Sequence, residues 1–274
     1  MSKIQLQIQN LNLSFRGLHV LRNINMVVRR GELHAVIGPN GAGKSSLLNC
    51  ISGLYKFQSG DIYFQNQSFR RKKPHQIAEL GIGRLFQNIE LFKNMTVIDN
   101  LLLGRHRLIK SGVLASAFYV GKSMKQEIEH REKVEEIVEF LELENYRMKA
   151  VGSLPYGIQK RVDLGRALAG EPELLLLDEP IAGMNVDEKE DMARFINEVR
   201  MTLGTTMILI EHDMSFVMDL ADQVTVIDFG EKVAEGEPEE IQENPNVIRA
   251  YLGSISNSKF DSGQREAEIN EIIS

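Results

Sequence analysis

The chain has 274 residues, of which 43% are hydrophobic and 26% charged, with a formal net charge of −6 at pH 7. That length can bury a sizeable core as one large domain or a domain with a subdomain, and the composition is that of an ordinary globular protein. The mild acidity gives no ground for expecting a nucleic-acid partner, and the single cysteine, Cys50, excludes an intrachain disulfide framework.

The first residues, MSKIQLQIQN, lack the apolar stretch of a secretory signal. No apolar run approaches the ~18 residues that a membrane-spanning helix needs. Ile4, Leu6 and Ile8 alternate with Gln5, Gln7 and Gln9, which predicts a half-buried strand continued by Leu11 to Phe15. Ile24 to Val28 reads as its pairing strand, closed by the turn at Arg30-Gly31. Leu33 to Ile37 is a short apolar strand, followed by a glycine-rich loop and a helical pattern over Lys44 to Ser52, where Cys50 reads as a small buried residue. Asp61 to Gln65 predicts a strand, and Arg70 to Lys73 a solvated basic run in a loop. Thr96 to Leu103 and Ser123 to Leu143 carry helical periodicity, so about residues 96–165 read as a helical subdomain inserted between two halves of an α/β core. Leu174 to Leu177 is the continuous apolar run of a central parallel strand. Helix, strand, helix and strand then follow over Asp187 to Met201, Thr205 to Ile210, Met214 to Leu220 and Val224 to Asp228. The domain is expected to span residues 4–252, with a polar tail from Gly253.

Two motifs carry chemistry. Gly38-Pro39-Asn40-Gly41-Ala42-Gly43-Lys44-Ser45 fits G-x-x-x-x-G-K-[ST], set between a strand and a helix. Its glycines let successive backbone N–H groups face phosphate oxygens, Lys44 reaches the β- and γ-phosphates, and Ser45 ligates Mg²⁺. Ser46 adds to the positive end of the helix that follows. The second motif is the apolar strand ending in Asp178-Glu179-Pro180, which puts a carboxylate at the carboxyl edge of the sheet. Asp178 there can hold a metal through water, and Glu179 can polarise an attacking water. No N-K-x-D motif follows, which argues against a GTPase.

With these residues the chain resembles the ATP-binding subunit of an ABC transporter over nearly its whole length. The resemblance implies a P-loop (RecA-like) α/β core with an antiparallel β subdomain and an inserted helical subdomain, using ATP and Mg²⁺. It identifies Gln87, in GRLFQNIELF, as the Q-loop glutamine that helps hold the metal, and His212, in ILIEHDM, as the switch histidine. It assigns Phe15 as the aromatic stacked on adenine. Ser153-Leu154-Pro155-Tyr156-Gly157-Ile158-Gln159-Lys160-Arg161 occupies the signature segment, which in the family binds ATP held by an opposite subunit. Leu154, Pro155, Tyr156, Gly157 and Gln159 are therefore signature residues acting in trans. Pro155 replaces the usual serine and removes both a hydroxyl and an N–H donor.

LPYG, the loop Ala182-Gly183-Met184-Asn185 and the ending Asn244 to Gly253 are similar to the ATPase subunits of branched-chain amino acid importers. Among those, they resemble the member paired with a second, more consensus-like ATPase. The resemblance implies membrane permease subunits as partners, that second ATPase (a homodimer being the alternative), and an external solute-binding protein. It places the chain peripherally on the cytoplasmic face of the cell membrane. A groove around Gln87 is the better candidate for permease docking than the apolar patch Val113 to Val120. Alternatives are uptake of urea, amides or aromatic acids, lipopolysaccharide export, or a soluble non-transport ABC ATPase. The last would typically show a long coiled coil or tandem cassettes, and the sequence has neither.

Overall fold

In the computed structural model, which describes residues 3–108 and 122–257, alternating apolar residues at the amino end form a hairpin of β1 (Ile4–Phe15) and β2 (Leu18–Arg29). β4 (Ser59–Phe64) and β5 (Gln67–Ser68) extend it into an antiparallel sheet of order β2-β1-β4-β5. The alternation slips where Asn10 takes φ 48°, so Leu6, Ile8, Leu11 and Leu13 all face the core. A second irregularity lies between Ile4 and Leu6, and it corrects the simple period at two positions. Ile4 turns out, 48% exposed, while Gln5 turns in, donating to the Glu173 carbonyl at 3.1 Å and accepting from Thr206 Oγ1 at 2.6 Å.

The second sheet holds β3 (Leu33–Ile37), β6 (Ile82–Leu85), β7 (Leu174–Asp178), β8 (Thr206–Ile210), β9 (Gln223–Asp228) and β10 (Glu231–Gly236). Its order is β10-β9-β3-β8-β7-β6, parallel except for β10, which folds back on β9. Every residue of β3, β7 and β8 is buried. Along β7, Leu174 and Leu176 join the core shared with the antiparallel sheet, while Leu175 and Leu177 join the core on the opposite face. Both faces are covered, which is why the strand is apolar throughout.

Helix α1 (Lys44–Ile51) follows β3, and α2 (Pro74–Glu79) precedes β6. Between β6 and β7 the chain inserts α3 (Val97–Gly104), α4 (Lys122–Phe140) and α5 (Tyr156–Ala169), which pack on one another. Thr96 caps α3 by accepting from Asp99 N, and the Asp99 carboxylate answers the Thr96 N–H. After β7 come α6 (Val186–Leu203), α7 (Met214–Leu220), α8 (Pro238–Gln242) and α9 (Pro245–Asn257). The chain is thus an α/β P-loop core with an antiparallel β layer and inserted helices. Among the described residues no helix is long and apolar enough to cross a membrane. Val113 to Val120, and the tail beyond Asn257, lie outside the described residues.

Candidate active site

Four adjacent parallel strands deliver the site. β3, β8, β7 and β6 run side by side, with Val36 opposite Ile210, Ile210 opposite Asp178, and Leu177 opposite Leu85. Their carboxyl ends therefore release the glycine-rich loop, Glu211-His212, Asp178-Glu179 and Phe86-Gln87 along one edge. Segments more than 170 residues apart in sequence meet because parallel pairing stacks strand ends in register.

The glycines of the loop answer to geometry. Gly38 has φ 145°, and a Cβ there would lie 1.9 Å from the Ile227 carbonyl oxygen. Gly43, the N-cap of α1, has φ 108°, and a Cβ would come within 2.9 Å of the Val20 oxygen. Only glycine fits either place. Lys44 is buried and donates to the carbonyls of Gly38 at 2.6 Å and Pro39 at 3.0 Å. Burial pushes its pKa down, opposed by Glu179 and Asp178. Asn40, Gly41 and Ser45 are exposed, Ser46 is half-buried, and Ala42 is buried beneath the loop.

Glu179 stands at φ 49°, its N–H held by the Ile210 carbonyl at 2.9 Å. Its carboxylate is bracketed: Gln87 Nε2 donates to Oε2 at 2.6 Å, and His212 Nε2 meets Oε1 at 2.5 Å. The structure so brings Gln87, Glu179 and His212 together, with Lys44 near enough for Glu179 and Asp178 to favour its charge. Phe15 is 44% exposed at the end of β1 and lies edge-on to Tyr55, ring centroids 5.0 Å apart. It pairs with Leu18, two residues before Val20, whose carbonyl faces Gly43.

Pro155 is the N-cap of α5. Leu154 is buried and its carbonyl accepts from Gln159 Nε2 at 2.8 Å. Tyr156, 43% exposed, donates its hydroxyl to the Ala182 carbonyl at 3.2 Å. Gly157 packs against Glu188, where a Cβ would strike the carboxylate. Glu188 in turn forms the capping box of α6 with Asn185, whose Oδ1 accepts at 2.9 Å. This segment is thus tied to the loop after Pro180 in its own chain.

Three residues that the motifs did not single out belong to this edge. Arg84, its side chain 9% exposed, donates to Asp178 Oδ2 at 2.7 Å, Asn49 Oδ1 at 2.7 Å and Ser52 Oγ at 3.0 Å. Lys160 is wholly buried and donates to the carbonyls of Gln87 at 2.9 Å and Glu179 at 3.5 Å. Glu211 accepts from the N–H groups of Ile181 at 3.0 Å and His212 at 3.1 Å, and burial pushes its pKa up to about 7. A signal existed for one of them: Lys160 lies at helical spacing with Gly157, Leu164 and Leu168 on a buried face. Cys50 is buried as the periodicity indicated, with its thiol pushed up to about 12 by burial.

A strand, a glycine loop and a helix on this sheet edge, with an aspartate-glutamate pair two strands over, define a P-loop nucleotidase. The family model described as ABC transporter matches residues 21–182, and the chain belongs to that family as one of its ATPases. A second model, described as branched-chain amino acid ATP-binding cassette transporter, matches residues 231–254, where Asn244 to Gly253 had pointed. The chain is 38% identical over 253 residues to the high-affinity branched-chain amino acid transport ATP-binding protein BraF of Pseudomonas aeruginosa, covering 92% of this chain and 99% of that one. The same figures hold for LivG of Escherichia coli K12. Among solved structures, the ADP conformation of an ABC transporter cassette superposes with TM-score 0.80 at 34% identity, covering 92% of this chain and all of that one. A nucleotide-free cassette gives TM-score 0.78 at 33% identity over 90% of this chain and 98% of that one.

Proposed function

We propose that this ATPase energises uptake of branched-chain amino acids, its dimer closing over ATP and driving membrane permease subunits. The observation that carries hydrolysis is the Glu179 carboxylate held between Gln87 and His212 beside the glycine loop. The substrate class rests on the match at residues 231–254 and on the likeness to BraF and LivG.

In this reading the loop from Gly38 to Ser46 holds the triphosphate through backbone N–H groups and Lys44. Phe15 stacks on the adenine, with Tyr55 bracing its edge. Glu179 orients and polarises the attacking water, Gln87 and His212 fix the Glu179 carboxylate, and His212 contacts the γ-phosphate. Asp178, Ser45 and Gln87 fit a hydrated Mg²⁺: Asp178 Oδ1 is buried with no protein partner, and the ion tolerates oxygen ligands that come partly from water. Bound Mg²⁺ neutralises phosphate charge.

A cavity of about 480 Å³ opens between β6 and the inserted helices, bordered by Ala78, Gly83, Phe92, Leu103, Arg107 and Arg166. Its place beside the strand that leads to Gln87 supports permease docking there, on the cytoplasmic face of the membrane. Pro155 supports a heterodimer in which this chain's own site is competent and the site its signature completes on the partner is weaker. The external solute-binding protein acts through the permease.

The test is reconstitution in proteoliposomes with permease subunits, a second ATPase and a solute-binding protein. ATP-dependent uptake of leucine, isoleucine or valine is expected, and hydrolysis without uptake of any of them would overturn the substrate class. Replacing the catalytic glutamate in each ATPase separately tests asymmetry, since equal losses from both would remove it.

A further inference from the structure

We infer that Lys160 is a positioning residue for hydrolysis, a latch by which the helix that begins with the signature segment sets the backbone under both Gln87 and Glu179. This rests on the reading of those two residues as hydrolytic groups.

The ammonium of Lys160 is wholly buried. Two of its three N–H donors go to carbonyls, Gln87 O at 2.9 Å and Glu179 O at 3.5 Å. The Tyr156 ring, one turn back on the same helix, lies 5.9 Å away. Among the described residues no carboxylate bonds it, although Asp163, Glu211, Glu179 and Asp178 all favour its charge at longer range. Burial pushes its pKa down against those four. Burying an ammonium without a bonded counter-charge is costly, and a methionine of similar length would pack the same space without that cost. What the ammonium adds is a fixed point shared by three elements.

Those elements are the ones that must agree for hydrolysis. The Gln87 carbonyl anchors the residue whose side chain reaches Glu179 Oε2 at 2.6 Å, and the Glu179 carbonyl anchors the other half of that contact. The lysine itself rides on α5, whose N-cap Pro155 and first residues Tyr156 and Gly157 form the signature segment, which in the proposed function completes the partner's ATP site. A rigid shift of α5 by about 1 Å is carried to both carbonyls at once, and displacements of that size at reacting groups cost up to roughly 100-fold in rate. The same residue thus ties the state of the ATP site this chain completes on its partner to the one it carries itself.

The experiment uses the assembled transporter with Lys160→Met and, separately, Glu179→Gln. Lys160→Met keeps the stem and removes the donors. Its kcat is expected to fall about 10- to 100-fold, with KM for ATP and binding of a fluorescent ATP analogue changed less than about 3-fold. Hydrogen exchange over residues 86–90 and 179–182 should speed up. Lys160→Gln, which keeps an N–H donor on a shorter arm, should recover part of the kcat, and it carries the comparison alone if the methionine chain does not accumulate. A kcat within about 2-fold of wild type in the variant that folds, or a loss that matches the unfolded fraction at assay temperature, overturns the latch. Glu179→Gln separates the two claims. If it leaves hydrolysis intact, the reading of the site fails; if it abolishes hydrolysis while Lys160→Met does not, only the latch fails.

Discussion

Arg84→Met is the most informative single change outside the motifs. Arg84 reaches Asp178 Oδ2, Asn49 and Ser52 from a side chain 9% exposed, and Asp178 is itself 5% exposed at the side chain. Methionine keeps the aliphatic stem against the Phe86 ring, which the guanidinium now covers at 4.6 Å, and deletes every donor. A buried carboxylate left without its cation costs about 3–5 kcal/mol, far above the ~1 kcal/mol of an exposed pair. For a chain of this size that lowers the melting temperature by roughly 10 °C. Urea unfolding with matched m-values measures it. The double variant Arg84→Met with Asp178→Asn should recover at least about half of the loss, because the orphaned charge is gone. A single-variant loss below about 1 kcal/mol, or a double variant no more stable than the single, would refute the claim that the pair holds this edge together.

Glu211→Gln should flatten the pH dependence of stability. The folded carboxyl titrates near 7 against an ordinary value of 4.5, so the folded state binds the extra proton. The contribution of Glu211 to stability is therefore full below about pH 4.5 and is lost as pH rises through about 7, by up to about 3 kcal/mol, and urea midpoints at pH 5 and pH 8 should differ less in the variant. Gly38→Ala should abolish nucleotide binding in a fluorescent-analogue titration, since the added carbon meets the Ile227 carbonyl at 1.9 Å. Gly41→Ala, at φ 81° with nothing within 4 Å, should cost only about 1 kcal/mol of backbone strain and retain measurable binding. Phe15→Ala removes an exposed ring, so it should raise KM for ATP about 3- to 10-fold with stability changed by less than about 1 kcal/mol.

Much of the fold could be read from the sequence because its periods are clean. The all-leucine run at β7 predicted a strand covered on both faces, and alternate leucines do enter two different cores. β6 and β10 escaped because four residues with a glycine and an arginine, or six with three charges, carry too little apolar pattern to stand out. The bulge at Asn10 was hidden for a different reason: it comes from one residue's backbone, and alternation counts side chains. Within the candidate site, Lys44, Asp178, Glu179, Gln87 and His212 were singled out by motif or resemblance. Arg84, Lys160 and Glu211 were not, because each acts by holding another residue's carboxylate or backbone, and such contacts have no fixed spacing along the chain.

Buried charge alone would not have located the site even with the fold in hand. His34 is wholly buried on β3, yet Nδ1 meets Glu32 at 2.7 Å and Nε2 meets Thr225 Oγ1 at 2.8 Å, so both ring nitrogens are satisfied. That group lies toward the amino end of the strand and closes a structural network. The carboxyl end differs in kind. Among the described residues Asp178 Oδ1 and Arg84 Nε are buried there without a hydrogen-bond partner, Lys160 is buried with its hydrogen bonds made to carbonyls, and Glu179 occupies a left-handed backbone. A sequence that satisfies its polar groups at one end of a sheet and leaves them short at the other has spent folding stability at that second end. In the proposed reading a hydrated Mg²⁺ completes Asp178 Oδ1, while the third buried atom of this kind among the described residues, Asp163 Oδ2, lies on α5.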